Sequence, residues 1–267
     1  MPTTRPNGVT IAYDVRGSGP TALFIMGLGG RASDWNDAFV RGLTPHLEVV
    51  TFDNRGTGRS DRPEEDYTLE AMADEAVGVL DAIDRPRAHV IGISMGGMIA
   101  QLGALRHPSR VGRLVLIATH GGGPTVVQPT PEAMKALMPD RSLAPAEIVR
   151  SSMAAITAPG FAQREPAAIE ALVALAAAQP TPQMTFARQM TAILASDRTA
   201  RLGTITAPTL VVHGSEDPLV PAANGAAIAH AIPGARLLEL PNCGHLPMWE
   251  CPRRLVDELL HFLDVSG

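Results

Sequence analysis

The chain has 267 residues, 45% of them hydrophobic and 18% charged, with 27 acidic against 22 basic side chains and a formal net charge of −5. That apolar fraction supplies a substantial core and excludes a disordered chain. No run of lysines or arginines offers a track for phosphates, and no apolar stretch nears the roughly 20 residues that span a bilayer, so neither nucleic acid nor a membrane is an expected partner.

The first eight residues are polar and turn-forming and lack the apolar centre of a secretory signal, which makes a cytoplasmic location the expectation. Residues 9–15 and 21–25 read as strands. The second runs into Met26-Gly27-Leu28-Gly29-Gly30, a glycine-rich turn that lets backbone approach a neighbouring group closely. Residues 48–53 form a third strand pattern, which ends in Asp53-Asn54-Arg55-Gly56-Thr57-Gly58-Arg59-Ser60. The Asn-Arg-Gly context of Asp53 points to a structural salt link rather than to chemistry. Over residues 68–83 the apolar positions Leu69, Met72, Ala76, Leu80 and Ile83 lie on one stripe of a helix.

Residues 88–93 are again strand-like and lead into Gly92-Ile93-Ser94-Met95-Gly96, which fits G-x-S-x-G. Met98, Ile99, Leu102 and Leu105 then share a helical face, so the serine stands between a strand and a helix. A hydroxyl becomes a useful nucleophile when such a sharp turn lifts it clear of the sheet, and flanking glycines let the chain pass without Cβ clashes. After a strand over 113–118, Gly121-Gly122-Gly123-Pro124 breaks the alternation, and it resumes only near Ala207-Pro208. The interval from 121 to 205 is rich in Ala, Pro and Met, with helical stretches over 146–156, 166–178 and 184–194. It holds Met134, Met138, Met153, Met184 and Met190, whose flexible thioethers suit an adaptable apolar pocket, and two of the five are expected to face it.

The strand over 209–213 runs into Gly214-Ser215-Glu216-Asp217-Pro218, which offers Glu216 and Asp217 as acids; the last strand, 236–240, is followed by Pro241-Asn242-Cys243-Gly244-His245. A helix over 252–263 closes the chain. Cys243 and Cys251 flank the histidine loop; they are too few and too poorly spaced with histidines for a structural zinc site, and two buried free thiols are expected, with a disulfide between them as the alternative. Strands alternating with amphipathic helices predict an α/β fold with a doubly wound, mostly parallel sheet. Its loops open on one edge, where Ser94, an acid and a histidine distant in sequence can converge. His120 and His213 sit near that edge too, but only His245 follows the last strand in a Gly-His context.

With these segments in this order, the chain resembles the α/β-hydrolase family, over nearly its whole length. The elbow carries the resemblance together with the Met26–Gly30 turn, where that family keeps an oxyanion loop, and the Asp53–Ser60 stretch, similar to its D-x-R-G-x-G-x-S segment. Met26 stands where many relatives have histidine. The resemblance implies a core over 1–120 and 206–267 with a helical cap over 121–205. It also implies a catalytic triad of Ser94, Asp217 and His245, with Asp217 favoured over Glu216, and an oxyanion hole from the backbone N–H groups of Leu28 and Met95. Serine rather than aspartate at the elbow argues against dehalogenase or epoxide-hydrolase chemistry. The elbow is most similar to the enol-lactonase and small-ester branch, which implies hydrolysis of a small-molecule ester or lactone without metal or cofactor. Carbon-carbon bond hydrolysis, perhydrolysis and a non-catalytic ligand-binding role are the alternatives. Trp35, Met138, Met184 and Trp249 are candidates for the substrate pocket.

Overall fold

A computed structural model describes residues 1–138 and 142–265 of the chain; residues 139–141 and 266–267, which belong to the expected cap and core respectively, fall outside the described residues. In chain order the elements are β1 (Thr3–Thr4), β2 (Ile11–Arg16), β3 (Thr21–Ile25), α1 (Asp37–Leu43), β4 (Glu48–Phe52), α2 (Leu69–Ala82), β5 (Ala88–Ile93), α3 (Met95–Arg106) and β6 (Val111–Ile117). There follow α4 (Pro131–Leu137), α5 (Pro145–Ile156), α6 (Phe161–Arg164), α7 (Pro166–Ala178) and α8 (Gln183–Ala195). The chain then returns through β7 (Thr209–Gly214), α9 (Ala222–Ala231), β8 (Arg236–Leu240), α10 (Pro247–Glu250) and α11 (Pro252–Leu263).

The strands form one eight-stranded sheet in the order β1-β2-β4-β3-β5-β6-β7-β8, with β2 antiparallel to both of its neighbours, β1 and β4, and every other pair parallel. Central strands are apolar on both faces because helices cover both faces. In β3, Leu23 and Ile25 pack with α2 and α3 on one side, while Ala22 and Phe24 pack with α1 and α11 on the other. At the outer strand β8, by contrast, Arg236 and Leu237 are exposed.

Seven strands and the helices α2, α3, α5, α7, α8 and α11 follow the sequence reading to within about two residues at each end. The unread elements have physical reasons. The strand β1 has two residues, and α1, α4, α6 and α10 have four to seven, too short for a helical period to show. In α9 the run AANGAAIAHA has no apolar stripe, so periodicity is silent there. Between β6 and β7 the helices α5 and α7 make a core of their own, in which Phe161, Ile169 and Val173 pack with Val149 and Met153.

One sequence expectation is corrected. Asp53 forms no salt link among the described residues; its carboxylate accepts backbone N–H groups of Ala32 and Arg59, at 2.8 and 2.9 Å. The buried ion pair nearby joins Arg55 to Glu75 of α2, with Arg55 Nε 3.0 Å from both carboxylate oxygens. Arg55 also stacks over Tyr67, 5.3 Å from the ring centroid. Removing one partner of such a pair strands the other charge in a medium that cannot solvate it. Glu75→Leu should therefore destabilise the fold by about 3–5 kcal/mol, read as a lowered urea midpoint. Replacing both residues by apolar ones should recover most of that loss.

Candidate active site

At the end of β5 the backbone turns sharply into α3, and Ser94 sits in the turn with φ 54° and ψ −121°, a region that side chains other than glycine rarely occupy. The flanking glycines are required by space. A Cβ at Gly92 would run into the carbonyl oxygen of Gly96, and one at Gly96 into that of Ile25. The turn is held on all sides: Ser94 N–H donates to Ile117 at 2.9 Å, and the Ser94 carbonyl accepts from Gly97 N, Met98 N and Thr119 Oγ1 at 2.9, 3.2 and 2.8 Å. Ser94 lines a cavity of about 800 Å³ whose wall also includes His245.

Asp217 follows β7, and its carboxylate is fully buried. Oδ1 accepts the N–H groups of Leu219 and Val220, both at 2.9 Å, which leaves Oδ2 to accept from His245 Nδ1 at 2.8 Å. A proton on Nδ1 leaves Nε2 with a free lone pair, the form of imidazole that can accept a proton. Glu216 is exposed, and no hydrogen bond joins it to this histidine among the described residues. His213 lies behind the pair, 3.6 Å from Asp217 Oδ2, with its Nε2 donating to Val220 O at 2.7 Å; burial lowers its pKa. Among the described residues no hydrogen bond joins the Ser94 hydroxyl to His245, though both side chains line the same cavity.

Leu28 and Met95 bring two backbone N–H groups to the same edge, and among the described residues neither donates a hydrogen bond. For Met95 the reason is its place at the first position of α3, where no carbonyl lies one turn back. A Cβ at Gly27 would lie 3.2 Å from Ser94 Cβ and 3.7 Å from its Oγ, so the glycine turn passes directly beside the serine. That turn is braced from several directions. Asn54 Nδ2 donates to Met26 O at 2.9 Å, Gln189 Oε1 on α8 accepts Gly29 N–H at 2.8 Å, and Thr181 Oγ1 donates to Gly29 O at 2.6 Å. Asn54 and the α8 side supply hydrogen bonds to this turn, in which Met26 rather than a histidine stands first.

The pocket candidates divide. Trp249 and Met138 line the cavity, and Trp249 Nε1 donates to Asp34 O at 3.1 Å. Trp35 does not: it is 2% exposed and packed between Phe24 and Phe39 at ring distances of 5.2 and 5.9 Å. Met184 is likewise off the wall and is 60% exposed to solvent. Of the five methionines in the interval, Met134, Met138, Met153 and Met190 reach the wall, more than the two expected. Position relative to a loop in sequence does not reveal which face of a helix turns inward.

Two contributors were not apparent in the sequence, and a third, His120, is placed near this edge by its sequence position but given no role there. His120, after β6, lines the cavity; Gln189 braces the glycine turn; and Glu250 accepts backbone N–H groups on both sides of His245. Gln189 acts across 160 residues of sequence. For Glu250, its closeness in sequence to His245 was the available signal. The thiols of Cys243 and Cys251 are free, with sulfurs 3.4 Å apart and Cys251 only partly buried.

The family model described as alpha/beta hydrolase fold matches residues 20–252. Among solved structures, the enol-lactonase from Burkholderia xenovorans LB400 is 27% identical, with a TM-score of 0.85 over 98% of this chain and 100% of that one. Est816, described as an N-acyl homoserine lactone degrading enzyme, is 30% identical, with a TM-score of 0.83 over 98% of this chain and 100% of its own. A meta-cleavage product hydrolase from Pseudomonas fluorescens IP01, in a serine-to-alanine mutant complexed with acetates, is 26% identical, with a TM-score of 0.83 over 100% of this chain and 98% of that one.

The cavity histidine generates a prediction of its own. Burial, reinforced by the Arg198 charge, pushes the His120 pKa from 6.5 down to about 4. The folded state therefore refuses a proton that the unfolded chain binds, so stability tied to the neutral ring is full above pH 6.5 and is lost as pH falls toward 4. Urea midpoints at about pH 7 and about pH 4.5 should show a smaller acid loss in His120→Asn than in the unaltered chain. Equal losses would mean that His120 already titrates normally in the folded protein.

Proposed function

The chain belongs to the alpha/beta hydrolase fold family, and from that premise we propose that it is a serine hydrolase that cleaves carboxylic esters or lactones through an acyl-enzyme. The observation that carries the reading is the 2.8 Å bond from His245 Nδ1 to buried Asp217, which leaves Nε2 as a base on the wall shared with Ser94. In the first step Ser94 Oγ attacks the substrate carbonyl while His245 Nε2 takes the hydroxyl proton, and Asp217 orients the ring and balances its charge. The N–H groups of Leu28 and Met95 receive the developing oxyanion. The tetrahedral adduct collapses with His245 returning the proton to the leaving alcohol. Water, deprotonated by the same imidazole, then releases the acid and regenerates the serine.

In this reading residues 1–120 and 206–267 form the catalytic core, and residues 121–205 act as a cap that chooses the substrate. No metal or organic cofactor takes part. A cytoplasmic location belongs to the same reading, in which two cysteines are kept as thiols. The likeness to a meta-cleavage product hydrolase supports a second reading, carbon-carbon bond hydrolysis on the same residues. Turnover of a 4-nitrophenyl ester against a vinylogous diketone separates the two.

Ser94→Ala should lower kcat for a 4-nitrophenyl ester on the order of 10⁶-fold, with the thermal transition retained. Activity within about tenfold of the unaltered chain would overturn the nucleophile assignment. Asp217→Asn should cost about 10⁴-fold, because an amide favours the wrong imidazole tautomer, while Glu216→Gln should have little effect. The reverse order would show that the acid is Glu216.

A further inference from the structure

The cavity wall carries few charged groups, and each has its counterpart. Arg31 Nη2 lies 2.8 Å from Asp34 Oδ1, and Arg31 Nη1 donates to Gln179 O, so the cation and anion at that end cancel. His120 Nδ1 accepts Gly122 N–H at 3.1 Å, which leaves its proton on Nε2 in a neutral ring. Arg198 lies behind His120, fully buried and off the wall, with its fork engaged by Gln101 Oε1, Ser196 and His120 O. The rest of the wall away from the reacting edge is made by side chains such as Met134, Met153, Leu172, Phe186, Met190 and Ile193. Against these side chains an anion would give up hydration and meet no unpaired cation among the described residues. The volume of about 800 Å³ is far beyond what an acetyl group fills.

We propose that the substrate is an uncharged ester or lactone with a bulky apolar body, and that the cavity rejects an anionic group in that body. The proposal rests on the serine-hydrolase reading. Its test compares 4-nitrophenyl octanoate with the mono-4-nitrophenyl ester of octanedioic acid, acyl chains of equal length that differ by a terminal carboxylate. The expected result is a kcat/KM about 100-fold lower for the anion, together with a higher value for octanoate than for acetate. Rates for the two eight-carbon esters within about threefold of each other, or a preference for the anion, would overturn the proposal. Turnover of octanoate that vanishes in Ser94→Ala keeps the hydrolase reading in place whichever way the pair falls. If no ester is turned over, that reading fails and the selectivity claim falls with it.

A separate set of hydrogen bonds surrounds His245 itself. Glu250 Oε2 accepts Gly244 N–H and Ala158 N–H, both at 2.8 Å, and its Oε1 accepts Leu246 N–H at 3.0 Å. Gly244 and Leu246 are the neighbours of His245, and Ala158 follows the end of α5. His245 N–H also donates to Ile156 O at 3.0 Å. Space enforces the approach, since a Cβ at Gly244 would run into the backbone of Thr157 and Ala158. The geometry points to Glu250 as the positioning residue that holds the His245 loop in register with the end of α5.

Glu250→Gln keeps one oxygen for Ala158 and Gly244 but sets an amide N–H against that of Leu246, and Glu250→Ala removes all three bonds. Rates are normalised to active sites counted by reaction with a fluorophosphonate, so that unfolded molecules do not contribute. Displacement of the imidazole should lower kcat per site on the order of 10²-fold in Glu250→Gln, with KM within about threefold, and further in Glu250→Ala. A kcat per site equal to that of the unaltered chain, with only the number of sites reduced, would show that Glu250 serves folding alone.

Discussion

The backbone at Ser94 is the constraint on which the remainder of the site depends. A serine held at φ 54° costs free energy of order 1–3 kcal/mol, and it persists only because its neighbours over-determine it. The ladder bond to β6, the three donors on its carbonyl and the absence of side chains at Gly92 and Gly96 together leave the chain no easier path. That turn sets the serine at the carboxyl edge of the sheet and exposes the first N–H of α3 beside it. The parallel sheet supplies the rest, because the loops after β3, β7 and β8 open on the same edge.

The helices between β6 and β7 are fastened to the two loops that the proposed chemistry uses. Gln189 and Thr181 hold the glycine turn that carries Leu28, while Ile156 and Ala158 engage the loop that carries His245. Gln189 also donates to Arg55 O at 3.1 Å and so reaches the buried Arg55–Glu75 pair. The apolar wall and the reacting groups are therefore parts of one bonded assembly. A substitution in α8 that leaves the wall intact can still shift the glycine turn that carries Leu28, since the brace runs through Gln189, which is not itself part of that wall.

The parts of this arrangement legible in the sequence are those that announce themselves locally. Apolar runs bounded by glycine mark β3, β5 and β7, and each delivers its loop to the predicted edge. Asp217 and Glu216 are adjacent, and periodicity cannot choose between them; in the folded chain Asp217 turns inward because its Oδ1 caps the N–H groups of Leu219 and Val220. Trp35 and Trp249 look alike in sequence, yet the first is packed among phenylalanines in the core and the second faces the cavity. Asp53 departs from its expected role for a related reason: its neighbour Arg55 suggests an ion pair, but the carboxylate meets backbone amides and the guanidinium turns to α2. Gln189 acts through contacts that no local pattern encodes.

The central claim, that Ser94 is the nucleophile and His245 its base, is tested most directly by locating a covalent adduct. Peptide mass mapping after reaction with a fluorophosphonate should place a single phosphonyl group on Ser94, and His245→Ala should slow its formation severely. A phosphonyl group on any other residue, or labelling of Ser94 at an unchanged rate without the imidazole, would contradict the account.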